Sequence, residues 1–211
     1  MLDAGPGRAL KVAVLASGAG TNLKALLDWA HGRDGIEIVA VASNKPNAAA
    51  LEHARAAGVA TEVFAADAFD DRPARDRAMA GWLAAKDVGL VVLAGYMKLL
   101  SPEFLAQFER RVINVHPALL PAFPGLKPIE QALEYGVKVF GVTVHFVDEG
   151  VDSGPVILQR AIEIDDPGSA EEVLERLHRL EHELLPEAVR LIAAGAVGFD
   201  PANPRRVVIE R

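Results

Sequence analysis

The stretch Val12-Ala-Val-Leu-Ala-Ser-Gly-Ala-Gly-Thr-Asn22 decides the fold. A run of β-branched and aliphatic residues breaks into a glycine-containing turn, and helical patterning follows over 22–32. A strand that feeds a helix through such a turn opens an α/β unit in which glycines let the backbone come close to a ligand and free helix N–H groups face an anion. The string lacks both the third glycine of a dinucleotide fingerprint and the Gly-Lys-Ser/Thr end of a nucleotide P-loop. On its own it reads as a phosphate seat or as a tight turn that binds nothing.

Working outward, apolar runs recur at 36–42, 61–64, 90–94 and 112–115, most of them patterned as strands buried on both faces. Helical segments at 46–57, 73–86 and 102–110 alternate with them, the last opened by Ser101 as a cap with Pro102 in the first turn. Strict alternation implies a doubly wound, mostly parallel sheet. After Val115 the grammar changes, because Pro117, Pro121, Pro124 and Gly125 fit neither a strand nor a helix interior and predict an ordered loop. A short helix at 129–135 follows, then two runs, 139–147 and 156–164, whose close spacing predicts an antiparallel hairpin extending the same sheet. The last large element starts at a capping box, Ser169 with Glu172, and carries an apolar stripe at Val173, Leu177, Leu180, Leu184 and Ala188. It predicts a long helix to about Gly195, with Pro186 as a candidate kink. There is no internal repeat or linker, so one domain over 1–211 is expected, with 1–10 as a short N-terminal extension.

Composition narrows the function. The 211 residues are 51% hydrophobic and 24% charged, a globular balance. With 22 basic and 29 acidic residues the net charge is −7, the wrong sign for a protein whose main partner is a nucleic acid backbone. Cysteine is absent, which excludes disulfide frameworks, thiolate nucleophiles and iron–sulfur clusters. Residues 1–10 lack the pattern of a signal peptide, and 88–97, the most apolar stretch, is too short to span a bilayer. A cytoplasmic protein without membrane or nucleic-acid partners is expected.

Asn114 and His116 end the fifth strand two residues apart, on one side of the sheet and at the edge where open α/β sheets hold ligands. The hairpin loop supplies Asp148, Glu149 and Asp152. An imidazole, a carboxamide and a carboxylate together make an acyl-transfer kit without a protein nucleophile: one moves protons, one meets a developing oxyanion, one orients and charges the imidazole. The rival use is a metal site built from His116, His145, Asp148 and Asp152. His145 shares a face with Thr143 and Val147 and reads as a supporting histidine. His31, His53 and His182 read as surface residues. Tyr96-Met-Lys-Leu-Leu100 after the fourth strand forms an apolar wall that suits a flat aromatic ligand, or is simply a hydrophobic loop.

Ser17-Gly-Ala-Gly-Thr-Asn22, Ser43-Asn-Lys45, Leu93-Ala-Gly-Tyr-Met97, Ile113-Asn-Val-His-Pro-Ala-Leu-Leu-Pro121, Gly141-Val-Thr-Val-His-Phe-Val147 and Asp152-Ser-Gly-Pro-Val-Ile157 resemble the phosphoribosylglycinamide formyltransferase family. The resemblance runs in order from Lys11 to Ile192. It implies a Rossmann-like formyltransferase fold, with 11–116 as a nucleotide-type half and 117–211 as a folate-side half. It also implies transfer of the formyl group of 10-formyltetrahydrofolate, as co-substrate, to the amine of 5′-phosphoribosylglycinamide in de novo purine (IMP) synthesis. No metal or nicotinamide is implied; the partners are these small molecules, and the chain is a monomer or weak homodimer.

By that resemblance His116 is the general acid, Asn114 holds the formyl oxygen and Asp152 is the carboxylate that raises the His116 pKa. The substrate phosphate falls on Gly20, Thr21 and Asn22, with Gly95, Pro117, His178 and Glu181 around the ribose and glycinamide. The folate lies against Met97, Lys98, Leu99, Leu100 and Asn114 and the loop Asp148, Glu149, Gly150, Val151 and Asp152, with Arg72 toward its glutamate tail. Two positions depart from the family pattern. Ala19 stands where some members carry Asn, and Lys98 where Arg is common, losing bidentate carboxylate contact. Methionyl-tRNA formyltransferases and formyltetrahydrofolate hydrolases share the Asn, His and Asp triplet but carry an added domain that is expected to be absent here. A phosphate-ligand sensor on the same fold is the reading from another class.

Overall fold

A computed structural model describes residues 9–210. The expected extension at 1–10 falls mostly outside them, and its last residue, Leu10, already belongs to β1 (Leu10–Leu15). The chain continues through α1 (Thr21–Trp29), β2 (Ile36–Ser43), α2 (Ala49–Ala56), β3 (Ala60–Val63), α3 (Arg72–Ala84), β4 (Leu90–Leu93), α4 (Pro102–Gln107) and β5 (Val112–His116). Then come α5 (Pro128–Tyr135), β6 (Val139–Phe146), β7 (Val156–Glu163), α6 (Ala170–Ala193), β8 (Val197–Asp200) and β9 (Asn203–Ile209). The seven-stranded sheet has the order β3-β2-β1-β4-β5-β6-β7. The first five strands pair in parallel, and β6 and β7 extend the sheet antiparallel, as their spacing predicts.

Each central strand buries both faces. Val12, Val14 and Ala16 enter one core with Leu23, Leu26, Leu51, Val173, Leu177 and Leu184, so α1, α2 and α6 cover that face. Ala13 and Leu15 enter the other with Met79, Leu83, Phe104 and Phe108 from α3 and the α4 region. Period-two side chains with helices on both faces are the reason the strands read as unbroken apolar runs. Because β1 lies between β2 and β4, the strand order reverses there and opens a crevice beyond the carboxyl ends of β1 and β4. The loop after β1 and the loop after β4 border it, tied by Ser17 N donating to Gly95 O at 3.1 Å.

The proline-rich segment is ordered, and its anchor is Thr143, fully buried on β6. Thr143 Oγ1 donates to Ala118 O at 2.7 Å and accepts from Leu120 N at 3.1 Å, while Gln159 Nε2 donates to Leu120 O at 2.8 Å.

Two expectations are corrected and one element is added. Helix α2 begins at Ala49, not at Pro46, because Ala48 keeps an extended backbone as the cap residue. On α6 the buried positions run Val173, Leu177, Glu181, Leu184 and Ala188, so a carboxylate occupies the place given to Leu180, which is half-buried. The chain after Gly195 forms a second sheet, the antiparallel hairpin β8–β9, whose short Val-Gly-Phe-Asp run gives too few alternations to be read from sequence.

Candidate active site

Parallel strand β5 delivers Asn114 and His116 to the crevice, and antiparallel pairing with β6 sets His145 directly across from Asn114. The third component comes from the β6–β7 loop, where Asp152 takes a left-handed backbone with φ of +49°. Asp152 Oδ2 accepts from Gly125 N at 2.8 Å and Oδ1 from Asn114 Nδ2 at 3.3 Å. His116 Nδ1 lies 3.4 Å from Oδ2, and His145 Nε2 3.6 Å from Oδ1. Burial pushes the Asp152 carboxyl up, but opposing contributions that include the Gly125 amide and the His116 charge outweigh it and hold the carboxyl below its ordinary value. It is an anion, met by the Gly125 and Asn114 N–H groups and by the His116 ring.

Hydrogen-bond logic fixes the rest. His145 Nδ1 is 2.8 Å from Phe146 O, which can only accept, so Nδ1 carries the proton and Nε2 accepts from Asn114 Nδ2 at 3.2 Å. The two acceptors of Asn114 Nδ2 are 3.6 Å apart and lie on one side of the nitrogen. The carboxamide NH₂ of Asn114 thus engages both while it borders the cleft. His116 Nε2 meets Phe123 O at 2.9 Å and therefore also carries a proton. Both nitrogens of His116 are thus engaged by the protein. Nδ1, at 3.4 Å from its carboxylate, is the more weakly held.

The loop after β1 positions helix α1. Gly20, at φ of +74°, is its cap residue, and no side chain caps its first amides. Only glycine fits, since a Cβ there would lie 2.6 Å from Ala50 Cα. An uncapped helix N-terminus with no acidic residue in its first turn is an anion seat. Asn22 turns its side chain away from that seat and donates from Nδ2 to Glu181 Oε2 at 2.8 Å. Burial pushes Glu181 up to about 7, and the Asn22 hydrogen bond opposes it. His178 Nε2 is 4.0 Å from Glu181 Oε2, and its ring stacks on His182. Burial pulls His178 down against the opposing Glu175 charge.

Two cavities meet at Asn114 and Asp152. One of about 620 Å³ collects Gly20, Thr21, Asn22, Gly95, Met97, His116, Pro117, His178 and Glu181. One of about 190 Å³ collects Arg72, Lys98, Leu99, Leu100, Val147 and residues 148–152. Asn114, Tyr96, Lys98, Leu99, Val151 and Asp152 border both. The residues assigned from sequence to each ligand therefore fall together, with one exception: Met97 faces the larger cavity, across the wall from its assigned group. Asp148 is also partly spent, because its Oδ1 accepts from Gly150 N at 3.1 Å and Ser153 Oγ at 2.6 Å and shapes the loop. Among the described residues no group of three or more His, Asp or Glu is placed to hold a metal ion. His31, His53 and His182 are half-buried, and His31 Nδ1 accepts from Ile38 N at 3.0 Å.

Sequence reading missed the backbone partners Gly125 and Phe123, which nothing but the fold brings near. It also missed Arg75 and Asp76, although two charges on the apolar stripe of α3 with Met79 and Leu83 are a legible signal.

Residues 10–189 match the family model described as Formyl transferase. The chain is similar to the phosphoribosylglycinamide formyltransferase of Bacillus subtilis, 39% identical over 181 residues, which cover 85% of this chain and 93% of that one. It is also 41% identical over 197 residues to the trifunctional purine biosynthetic protein adenosine-3 of Drosophila melanogaster, covering 92% of this chain but only 15% of that longer protein. Among solved structures, glycinamide ribonucleotide transformylase 1 from Symbiobacterium toebii superposes with a TM-score of 0.92 at 45% identity, covering 97% of this chain and 96% of that one.

Proposed function

The chain belongs to the formyl transferase family, and from that premise we propose that it transfers the formyl group of 10-formyltetrahydrofolate to the amine of 5′-phosphoribosylglycinamide, yielding formylglycinamide ribonucleotide and tetrahydrofolate in de novo purine synthesis. The observation that carries the reading is the position of Asn114 and Asp152 on the boundary shared by the two cavities. A group passed from one ligand to another has to cross such a boundary.

The larger cavity suits the acceptor. Its uncapped α1 amides at Gly20, Thr21 and Asn22 take a phosphate, and Glu181, His178, Gly95 and Pro117 surround a ribosyl amide. The smaller suits the donor. Leu93, Leu99, Leu100 and Val147 offer apolar faces to a flat ring, polar backbone of 148–152 meets its edge, and the exposed cations Arg72 and Lys98 attract a carboxylate tail.

The neutral glycinamide nitrogen attacks the formyl carbon, and the carbonyl electron pair moves onto oxygen. The Asn114 carboxamide NH₂ and the His116 imidazolium stabilise that oxyanion, positioned for it before the charge forms. Asp152 holds the imidazolium in place. Collapse re-forms the carbonyl and breaks the bond to folate nitrogen; the proton lost by the amine is returned to that nitrogen through His116. The balance is closed without a covalent enzyme intermediate. No helix among the described residues is long and apolar enough to cross a membrane, and a cytoplasmic monomer or weak dimer acting on small molecules accords with this reading.

The test is acceptor dependence. Release of tetrahydrofolate should require phosphoribosylglycinamide and proceed negligibly with water. Equal release with water would make the chain a hydrolase, and binding of both ligands with no release would make it a sensor.

A further inference from the structure

Helix α3 buries Arg75, Asp76, Met79, Ala80 and Leu83 on one face, and the first two are charged. Asp76 is fully buried and Arg75 is 3% exposed. Residues adjacent in a helix do not normally face each other, yet Arg75 folds back so that Nε and Nη2 reach Asp76 Oδ1 at 2.8 and 2.6 Å. Stability does not require such a pair, because well-packed apolar residues of similar volume are usually as stable or more so. The bonds left over all go to one segment. Asp76 Oδ2 accepts from Ser101 N at 2.6 Å, and Arg75 Nη2 donates to Leu99 O at 3.2 Å.

At its other end the same segment is held by Met97 N donating to Ser17 Oγ at 2.9 Å, with Ser17 Oγ donating to Asn44 Oδ1 at 2.5 Å. The loop after β4 is thus suspended between two polar anchors, with Lys98, Leu99 and Leu100 between them. Leu99 is 60% exposed, an apolar side chain held out at the lip of the cavity.

We propose that Arg75 and Asp76 are positioning residues that hold the Leu99–Ser101 backbone and so fix the wall against which the formyl donor binds. The proposal rests on the functional reading above and adds to it a pair that touches neither ligand.

The test uses the full chain with Asp76→Asn and the apolar double variant Arg75→Met/Asp76→Leu. Steady-state kinetics with each substrate varied, thermal melting, and calorimetric binding of 10-formyltetrahydrofolate alone are measured together. A positioning role predicts a donor KM and Kd raised about tenfold, with kcat and the phosphoribosylglycinamide KM within about two- to threefold, since only uniform donor binding is lost. The double variant should melt at or above the parent and still bind the donor poorly. Donor binding within about twofold of the parent in a folded double variant overturns the proposal, as does a parallel loss of every parameter with a fall in melting temperature. If the parent binds the donor but shows no phosphoribosylglycinamide-dependent transfer, the functional reading fails, while the calorimetric comparison still decides the anchor.

Discussion

Replacing Asp152 by Asn isolates one interaction. Asn is nearly isosteric and tolerates the left-handed backbone at φ of +49°, where Ala would be strained. Its oxygen can keep the bond from Gly125 N, but its NH₂ then faces the Asn114 amide nitrogen, so a charge is lost and two donors oppose each other. The His116–Asp152 contact is 3.4 Å and largely buried. At that separation unit charges attract by about 1 kcal/mol in water and about 5 kcal/mol at an effective dielectric of 20. A site between those limits loses about 3 kcal/mol of stabilisation of the imidazolium, which is about 10² in rate. Initial rates of phosphoribosylglycinamide-dependent tetrahydrofolate release, followed by absorbance, should fall by about that factor with melting little changed. A rate within about fivefold of the parent would refute the role assigned to Asp152 and, with it, the charged state of His116 in catalysis.

Three further outcomes follow from the geometry. Glu181, raised from 4.5 to about 7 by burial, holds its proton in the native state where the unfolded chain has lost it; its contribution is full below about pH 4.5 and is lost as pH rises through 7. Melting of Glu181→Gln at pH 5 and pH 8 should show the parent losing on the order of 3 kcal/mol more than the variant, and identical pH dependence would contradict the assignment. Gly20→Ala forces a Cβ to 2.6 Å from Ala50 Cα at a positive φ, and should destabilise by about 1–3 kcal/mol and raise the phosphoribosylglycinamide KM more than the donor KM; unchanged melting and KM would show that the loop relaxes freely. Arg72→Ala should raise the donor KM severalfold with kcat unchanged, and the parent's advantage should shrink in high salt; a salt-independent effect would make the contact steric.

What the sequence yields and what it withholds differ by the range of the interactions involved. Strands β1 to β7 were readable because each carries its own unbroken or alternating apolar run, and Asn114 and His116 because two polar residues end such a run two apart. Asp152 was readable as one of three loop carboxylates; only the backbone of 125 and the cross-strand partner of Asn114 select it physically. The burial of Glu181 was not legible in the periodicity of α6, because its neighbour Leu180 completes an equally regular stripe and its hydrogen-bond partner, Asn22, lies 159 residues away. The Phe123 carbonyl and the Gly125 amide carry no side-chain signal at all. Arg75 and Asp76 did carry one, but a charged pair on an apolar face acquires meaning only when the segment it grips is known. Hairpin β8–β9 lay beyond the last periodic element and had too few residues to declare itself.

The central claim is that a formyl carbon crosses the boundary at Asn114 and Asp152 from folate to a glycinamide amine. It is tested most directly by supplying 10-formyltetrahydrofolate carrying ¹³C in the formyl group, together with phosphoribosylglycinamide, and following the label by NMR. The account predicts that the label appears as an amide formyl on the glycinamide nitrogen in step with tetrahydrofolate release; label recovered as free formate, or retained on the folate, would contradict it.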